Sequence, residues 1–130
     1  MSPVPPARVL VDTSVWVAHF RQGSAVLNQL LADDAVLMHP LALGELACGT
    51  PPRRRQTLRD LALLPSARQA SLEEVLAFIE RRQLYGLGCG LVDVSLLASA
   101  LLTPGAALWT LDARLAAQAR RLGVLYLPAH

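Results

Sequence analysis

The chain has 130 residues, 53% of them hydrophobic and 17% charged, with a formal net charge of +2. That length carries one ordinary domain with a real core, and the charge is too low for a disordered or polyelectrolyte chain. All 12 cations are arginine, and without lysine Walker-type phosphate binding, Schiff-base chemistry and lysine-assisted aspartyl-phosphate chemistry are excluded.

In chain order, Met1 to Pro6 reads as a proline-rich flexible leader, not a signal peptide, because it has no apolar stretch. Arg8–Val11 reads as a buried strand ending at Asp12, and Thr13–Phe20 as a helix stopped by Arg21-Gln22-Gly23. Val26, Leu27, Leu30 and Leu31 recur at helical spacing, and Ala35–Met38 predicts a second buried strand. His39-Pro40 leads into a helix through Glu45 to Cys48-Gly49, and Pro51-Pro52 opens another that carries Arg53-Arg54-Arg55 and Arg59. A short strand is expected near Ala67–Ala70. Ser71 with Glu74 forms a capping box for a helix whose inward stripe is Leu72, Val75, Leu76 and Ile79. Gly86, Gly88 and Gly90 make a joint before the helix Leu91–Leu102. Ala106–Thr110 is the next strand, Asp112–Leu122 a helix, and Val124–Leu127 the last strand.

Strands alternate with helices throughout, which predicts an α/β fold: a three-layer arrangement with a parallel sheet of four to five strands flanked by helices. The stretch Val94 to Leu111 runs without a charge, but Thr103-Pro104-Gly105 divides it into pieces too short to span a membrane. Cys48 and Cys89 are too few for a disulfide framework and read as small buried hydrophobes in a reducing cytoplasm.

Acids are scarce, only 10 in all, so those inside apolar segments carry information. Asp12 and Asp112 end strands just before helices, where each reads as an N-cap or as a group at the chemical edge of an α/β sheet. Asp93 stands in the first turn of an apolar helix, facing its dipole. Glu45 is the single charge of a helix apolar nearly all round, so a buried carboxylate there needs a cation from elsewhere. The predicted topology brings these four acids to one edge, where their repulsion calls for a cation. An all-oxygen ligand set favours Mg²⁺ or Mn²⁺ over zinc.

Val11-Asp12-Thr13-Ser14-Val15-Trp16, His39-Pro40 leading to Gly44-Glu45-Leu46-Ala47-Cys48-Gly49, Gly90-Leu91-Val92-Asp93 and Leu108-Trp109-Thr110-Leu111-Asp112 with Arg114-Leu115 carry a resemblance. Together they resemble the PIN-domain ribonucleases, specifically the VapC-type toxins of bacterial toxin–antitoxin pairs, from about Arg8 to Gly123. The resemblance implies a single PIN domain over residues 1–130, with residues 1–7 as leader, and a homodimer. It also implies Mg²⁺- or Mn²⁺-dependent cleavage of RNA at Asp12, Glu45, Asp93 and Asp112, with Thr13, Ser14 and Thr110 orienting them. It further implies inhibition by a small VapB-type antitoxin, which alone reaches operator DNA. Leu111 stands where many relatives carry Arg, and Val94-Ser95 where many carry Ala-His.

An acidic site repels RNA, so Arg53, Arg54, Arg55 and Arg59 are candidate contacts to RNA or antitoxin, with Arg81-Arg82 and Arg120-Arg121 next. His19, His39 and His130 each offer an imidazole, His19 reading as a helix-end residue, and Trp16 and Trp109 read as core. A phosphoacceptor receiver domain needs a late lysine and paired acids after the first strand, and neither is present. A haloacid-dehalogenase-like phosphatase needs an aspartate where Ser14 stands. The remaining rival is a catalytically silent PIN fold that only binds.

Overall fold

The computed structural model describes residues 7–128; the leader Met1 to Pro6 and His130 lie outside them. Three parallel strands form the centre: β1 (Arg8–Val11), β2 (Val36–Leu37) and β3 (Ala106–Trp109), in the order β2-β1-β3. Val9 and Leu10 stand opposite Val36 and Leu37, and Leu10 and Val11 stand opposite Leu108 and Trp109. Both faces of these strands are covered, so Leu10, Leu37 and Leu108 are fully buried. Continuous apolar runs, rather than alternating ones, are what such burial demands.

Seven helices flank the sheet among the described residues: α1 (Thr13–Gln22), α2 (Ala25–Ala32), α3 (Pro40–Ala47), α4 (Arg54–Ala62), α5 (Leu72–Arg82), α6 (Leu91–Leu102) and α7 (Ala113–Arg121). Packing runs from α1 and α4 onto α3, from α3 and α5 onto α6, and from α6 onto β3 and α7. α6 is the most buried helix, with Val94 through Ala100 all inside. No helix among them is long and apolar enough to cross a membrane.

Several expectations need correction. The strands expected near Ala67–Ala70 and over Val124–Leu127 shrink to single bridges, Met38 with Ser66 and Leu108 with Leu125. Each outer segment bonds to its neighbour at one register position and then diverges, so the sheet has three full strands. The helix expected to open at Pro51-Pro52 begins at Arg54. The capping box of α5 forms as expected, with Ser71 Oγ accepting from Glu74 N at 3.1 Å and Glu74 Oε1 accepting from Ser71 N at 2.9 Å. Its inward face, however, is Val75, Phe78 and Ile79, while Leu72 and Leu76 are 61% and 54% exposed. Phe78 buries more area than either leucine and sets the rotation of the helix. Cys48, at the end of α3, is exposed and Cys89 only partly covered, so neither is a core residue. Trp16 and Trp109 are buried as expected.

Truncating the core should separate these faces. Leu10→Ala should lower unfolding free energy by about 2–5 kcal/mol and Phe78→Ala by about 3–5 kcal/mol. Leu72→Ala, on the outer face, should change it by about 0.5 kcal/mol or less. Urea unfolding midpoints check all three.

Candidate active site

The order β2-β1-β3 reverses at β1, and a crevice opens beyond the carboxyl ends of strands at such a switch point. Asp12 N donates to the Trp109 carbonyl at 2.9 Å, extending the pairing of β1 and β3 to the sheet's edge. Asp12 and the segment Thr110 to Asp112 therefore emerge side by side.

Asp12 is 4% exposed. Its Oδ2 accepts from Ser14 Oγ at 2.6 Å, from Thr110 Oγ1 at 2.8 Å and, more weakly, from Ser14 N at 3.4 Å. Each hydroxyl is in turn fixed from behind: Ser14 Oγ accepts from Leu111 N at 3.0 Å, and Thr110 Oγ1 accepts from Asp112 N at 3.0 Å. With one proton apiece, both hydroxyls are committed to the carboxylate. Asp12 Oδ1 meets only Thr13 Oγ1, at 3.5 Å. Of the three hydroxyl residues expected to orient the acids, Ser14 and Thr110 hold Asp12 firmly and Thr13 barely.

The other aspartates repeat this division of labour. Asp112 caps α7, its Oδ1 accepting from Arg114 N at 2.8 Å and Leu115 N at 3.1 Å. Asp93 Oδ2 accepts from Gly90 N at 3.0 Å, closing the first turn of α6. Each aspartate thus spends one oxygen on the start of a helix and keeps the other available, so capping does not use up the carboxylate.

Glu45 departs from the sequence expectation. It lies on the exposed side of α3, not inside it, and the charges acting on it are negative. Desolvation by its surroundings, then Asp12, then Asp93, raise its pKa above the ordinary glutamate value. Asp93 is raised as well, first by burial and then by Asp12 and Asp112, against the Gly90 N–H that lowers it. The four acids are therefore one electrostatic cluster.

α3 is aimed by a residue that sequence reasoning left without a role. His39, 4% exposed, is its N-cap, with Nδ1 accepting from Leu41 N at 3.0 Å and Pro40 following. Burial holds His39 below its ordinary pKa, which suits the neutral imidazole this bond requires. The signal was present in His39-Pro40, since proline favours the first helical position. His19 likewise accepts from Ser24 N at 3.0 Å, at the junction of α1 and α2. At the other end of α3, Arg54 donates to the carbonyls of Ala47 and Gly49. That use separates Arg54 from the equally exposed Arg53, Arg55 and Arg59.

An open groove of about 570 Å³ leads away from the cluster, lined by Thr13, Glu45, Val17, Phe20, Leu46 and Pro51 among others. Among the described residues, no three acidic, histidine or cysteine groups stand close enough to enclose a metal ion. The donor chemistry nevertheless fits a hard divalent cation: all ligands are oxygens, each aspartate has one uncommitted, and burial, reinforced by the neighbouring acids, raises the pKa of Glu45 and Asp93. Exposed Glu45, which caps no helix, can change rotamer to complete the set.

Neutralising one repelling charge should stabilise the metal-free protein at neutral pH. Glu45→Gln and Asp93→Asn should each raise the unfolding free energy in chelator, and with it the melting temperature, by less than about 1 kcal/mol because solvent screens these groups. Because both folded-state pKa values are raised, the native state holds extra protons between the unfolded and folded values, and wild-type stability rises as pH falls through that window. The advantage of both variants should vanish there, which thermal scans against pH would read.

Comparison with known proteins agrees with this geometry. The PIN domain pattern matches residues 9–121, a span that includes all four acids. The chain is 46% identical over 116 residues to Ribonuclease VapC32 from two strains of Mycobacterium tuberculosis, CDC 1551 / Oshkosh and ATCC 25618 / H37Rv. The alignment covers 89% of this chain and 94% of each relative. The chain belongs to the PIN-domain family and, within it, to the VapC-type ribonucleases.

Proposed function

We propose that this protein is a divalent-cation-dependent endoribonuclease toxin, restrained by a cognate VapB-type antitoxin. The observation that carries the reading is the division of each aspartate into a capping oxygen and an uncommitted one, at the edge where the four acids repel each other. Asp12, Asp93 and Asp112 would hold Mg²⁺ or Mn²⁺ through those oxygens, with Glu45 as a further ligand or as general base. When bound, the cation neutralises phosphate charge and eases the deprotonation of water near neutral pH.

The protein's own groups do the rest. Ser14 and Thr110 fix Asp12 from behind, so its free oxygen keeps one direction while RNA enters. Glu45, its pKa raised above the ordinary glutamate value by desolvation and then by Asp12 and Asp93, takes the proton of the attacking water if it is not a ligand. In-line attack leaves a 5′-phosphate and a 3′-hydroxyl, and the ribose 2′-OH takes no part. The apolar wall of Val17, Phe20, Leu46 and Pro51 beside Glu45 suits the antitoxin's C-terminal segment. The antitoxin would also supply contact with operator DNA, and Arg53, Arg55 and Arg59 are available to it or to RNA. A homodimer in the cytoplasm, one PIN domain per chain, completes the proposal.

The test is cleavage of single-stranded RNA by antitoxin-free protein. Activity should disappear in EDTA and return with Mg²⁺ or Mn²⁺, and end-group analysis should find 5′-phosphates. Asp12→Asn and Asp93→Asn should each lose at least about 100-fold, and Thr110→Val roughly 10–100-fold while keeping its fold. Full activity in both aspartate variants, or none in the wild type with either cation, would instead favour a PIN fold that only binds.

A further inference from the structure

Gly88 lies in the joint between α5 and α6 at φ +83°, a region that side chains rarely enter. A methyl group placed on it would stand 2.5 Å from Arg114 Cδ, 2.8 Å from Nη1 and 3.0 Å from Nε. The arm of Arg114 therefore lies directly across the bare backbone of Gly88. Two independent features, the left-handed backbone and the absent side chain, make that resting place.

The base of Arg114 is held as firmly as its arm, because its backbone N–H donates to Asp112 Oδ1 at 2.8 Å. Its guanidinium has no hydrogen-bond acceptor among the described residues. Arg54 and Arg121 differ, spending theirs on the carbonyls of Ala47 and Gly49 and on Gln118 and the Arg82 carbonyl. The backbone bond of Arg114 to Asp112 and its arm against Gly88, two residues before the Gly90 N–H that holds Asp93, place this cation at the rim of the acidic cluster. A planar guanidinium with unspent donors is matched to the paired oxygens of a phosphate. Fixing a long arginine costs side-chain entropy on binding, and a rest for its arm lowers that cost.

We propose that Arg114 is a substrate-binding residue whose guanidinium, steadied across Gly88, takes an RNA phosphate beside the acidic cluster. The inference rests on the ribonuclease reading. It deepens that reading by naming the cation that offsets the repulsion between four acids and a polyanion.

The test is binding of a fluorescein-labelled single-stranded RNA of mixed sequence with Mg²⁺, in an Asp12→Asn background that does not cleave. Arg114→Gln should weaken binding roughly tenfold. It should also lower the slope of log affinity against log salt by about 0.7, one phosphate contact on a single strand. Arg114→Lys should recover part of the loss. Gly88→Ala should weaken binding in the parent but add nothing when Arg114→Gln is present. Unchanged affinity and slope in Arg114→Gln would overturn the proposal, and an additive Gly88→Ala effect would overturn the resting place. Should Gly88→Ala not fold, Arg114→Gln decides alone. Cleavage by the protein with Asp12 intact is scored separately: RNA bound through Arg114 but never cut would overturn the ribonuclease reading and leave this one standing.

Discussion

The site depends on one knot of hydrogen bonds, in which Asp12 Oδ2 receives the hydroxyls of Ser14 and Thr110. Ser14 belongs to α1 and Thr110 follows β3, so the knot ties the exits of two neighbouring strands to one carboxylate oxygen. Because Leu111 N and Asp112 N donate into the same hydroxyls, the start of α7 is fixed by the same bonds. A buried carboxylate is costly without such partners. Here its partners come from the two segments that must be aligned for Asp12 and Asp112 to face one space.

That arrangement explains how repelling acids are held together. Each aspartate answers the unsatisfied N–H groups at the start of a helix and is favoured by the helix dipole. Local capping thus stabilises a cluster in which burial first, and the neighbouring acids after it, raise the pKa of Asp93 and Glu45. Glu45 has no such anchor; it is carried in by α3, whose N-terminus is capped by buried His39 and whose C-terminus is held by Arg54. On the proposed reading a divalent cation would relieve the remaining repulsion, and so would couple folding stability to metal binding.

Much of this was legible in the sequence. β1 at Arg8–Val11 and α6 at Leu91–Leu102 have the boundaries read from their apolar runs and flanking breakers, and the Ser71–Glu74 capping box forms as spelled. The outer strands were not legible as bridges, because an apolar run at a sheet edge does not reveal how many ladder bonds its neighbour supplies. Two overlapping stripes on α5 fit helical spacing, and only packing decides that Phe78 rather than Leu72 faces inward. The four acids stood out because charge is scarce around them. Which oxygen of each is committed, and that Glu45 is exposed, are matters of tertiary geometry. So is Arg114 across Gly88, a contact between distant segments that no local pattern encodes.

The central claim is that the uncommitted oxygens of three capping aspartates form a cation site. The anomalous scattering of Mn²⁺ in a crystal of the antitoxin-free protein tests it most directly. The account predicts a manganese peak bonded to Asp12 Oδ1 and to the free oxygens of Asp93 and Asp112, with the three caps intact. A manganese ion bound elsewhere, or one that reaches the acids only by breaking those caps, would contradict it.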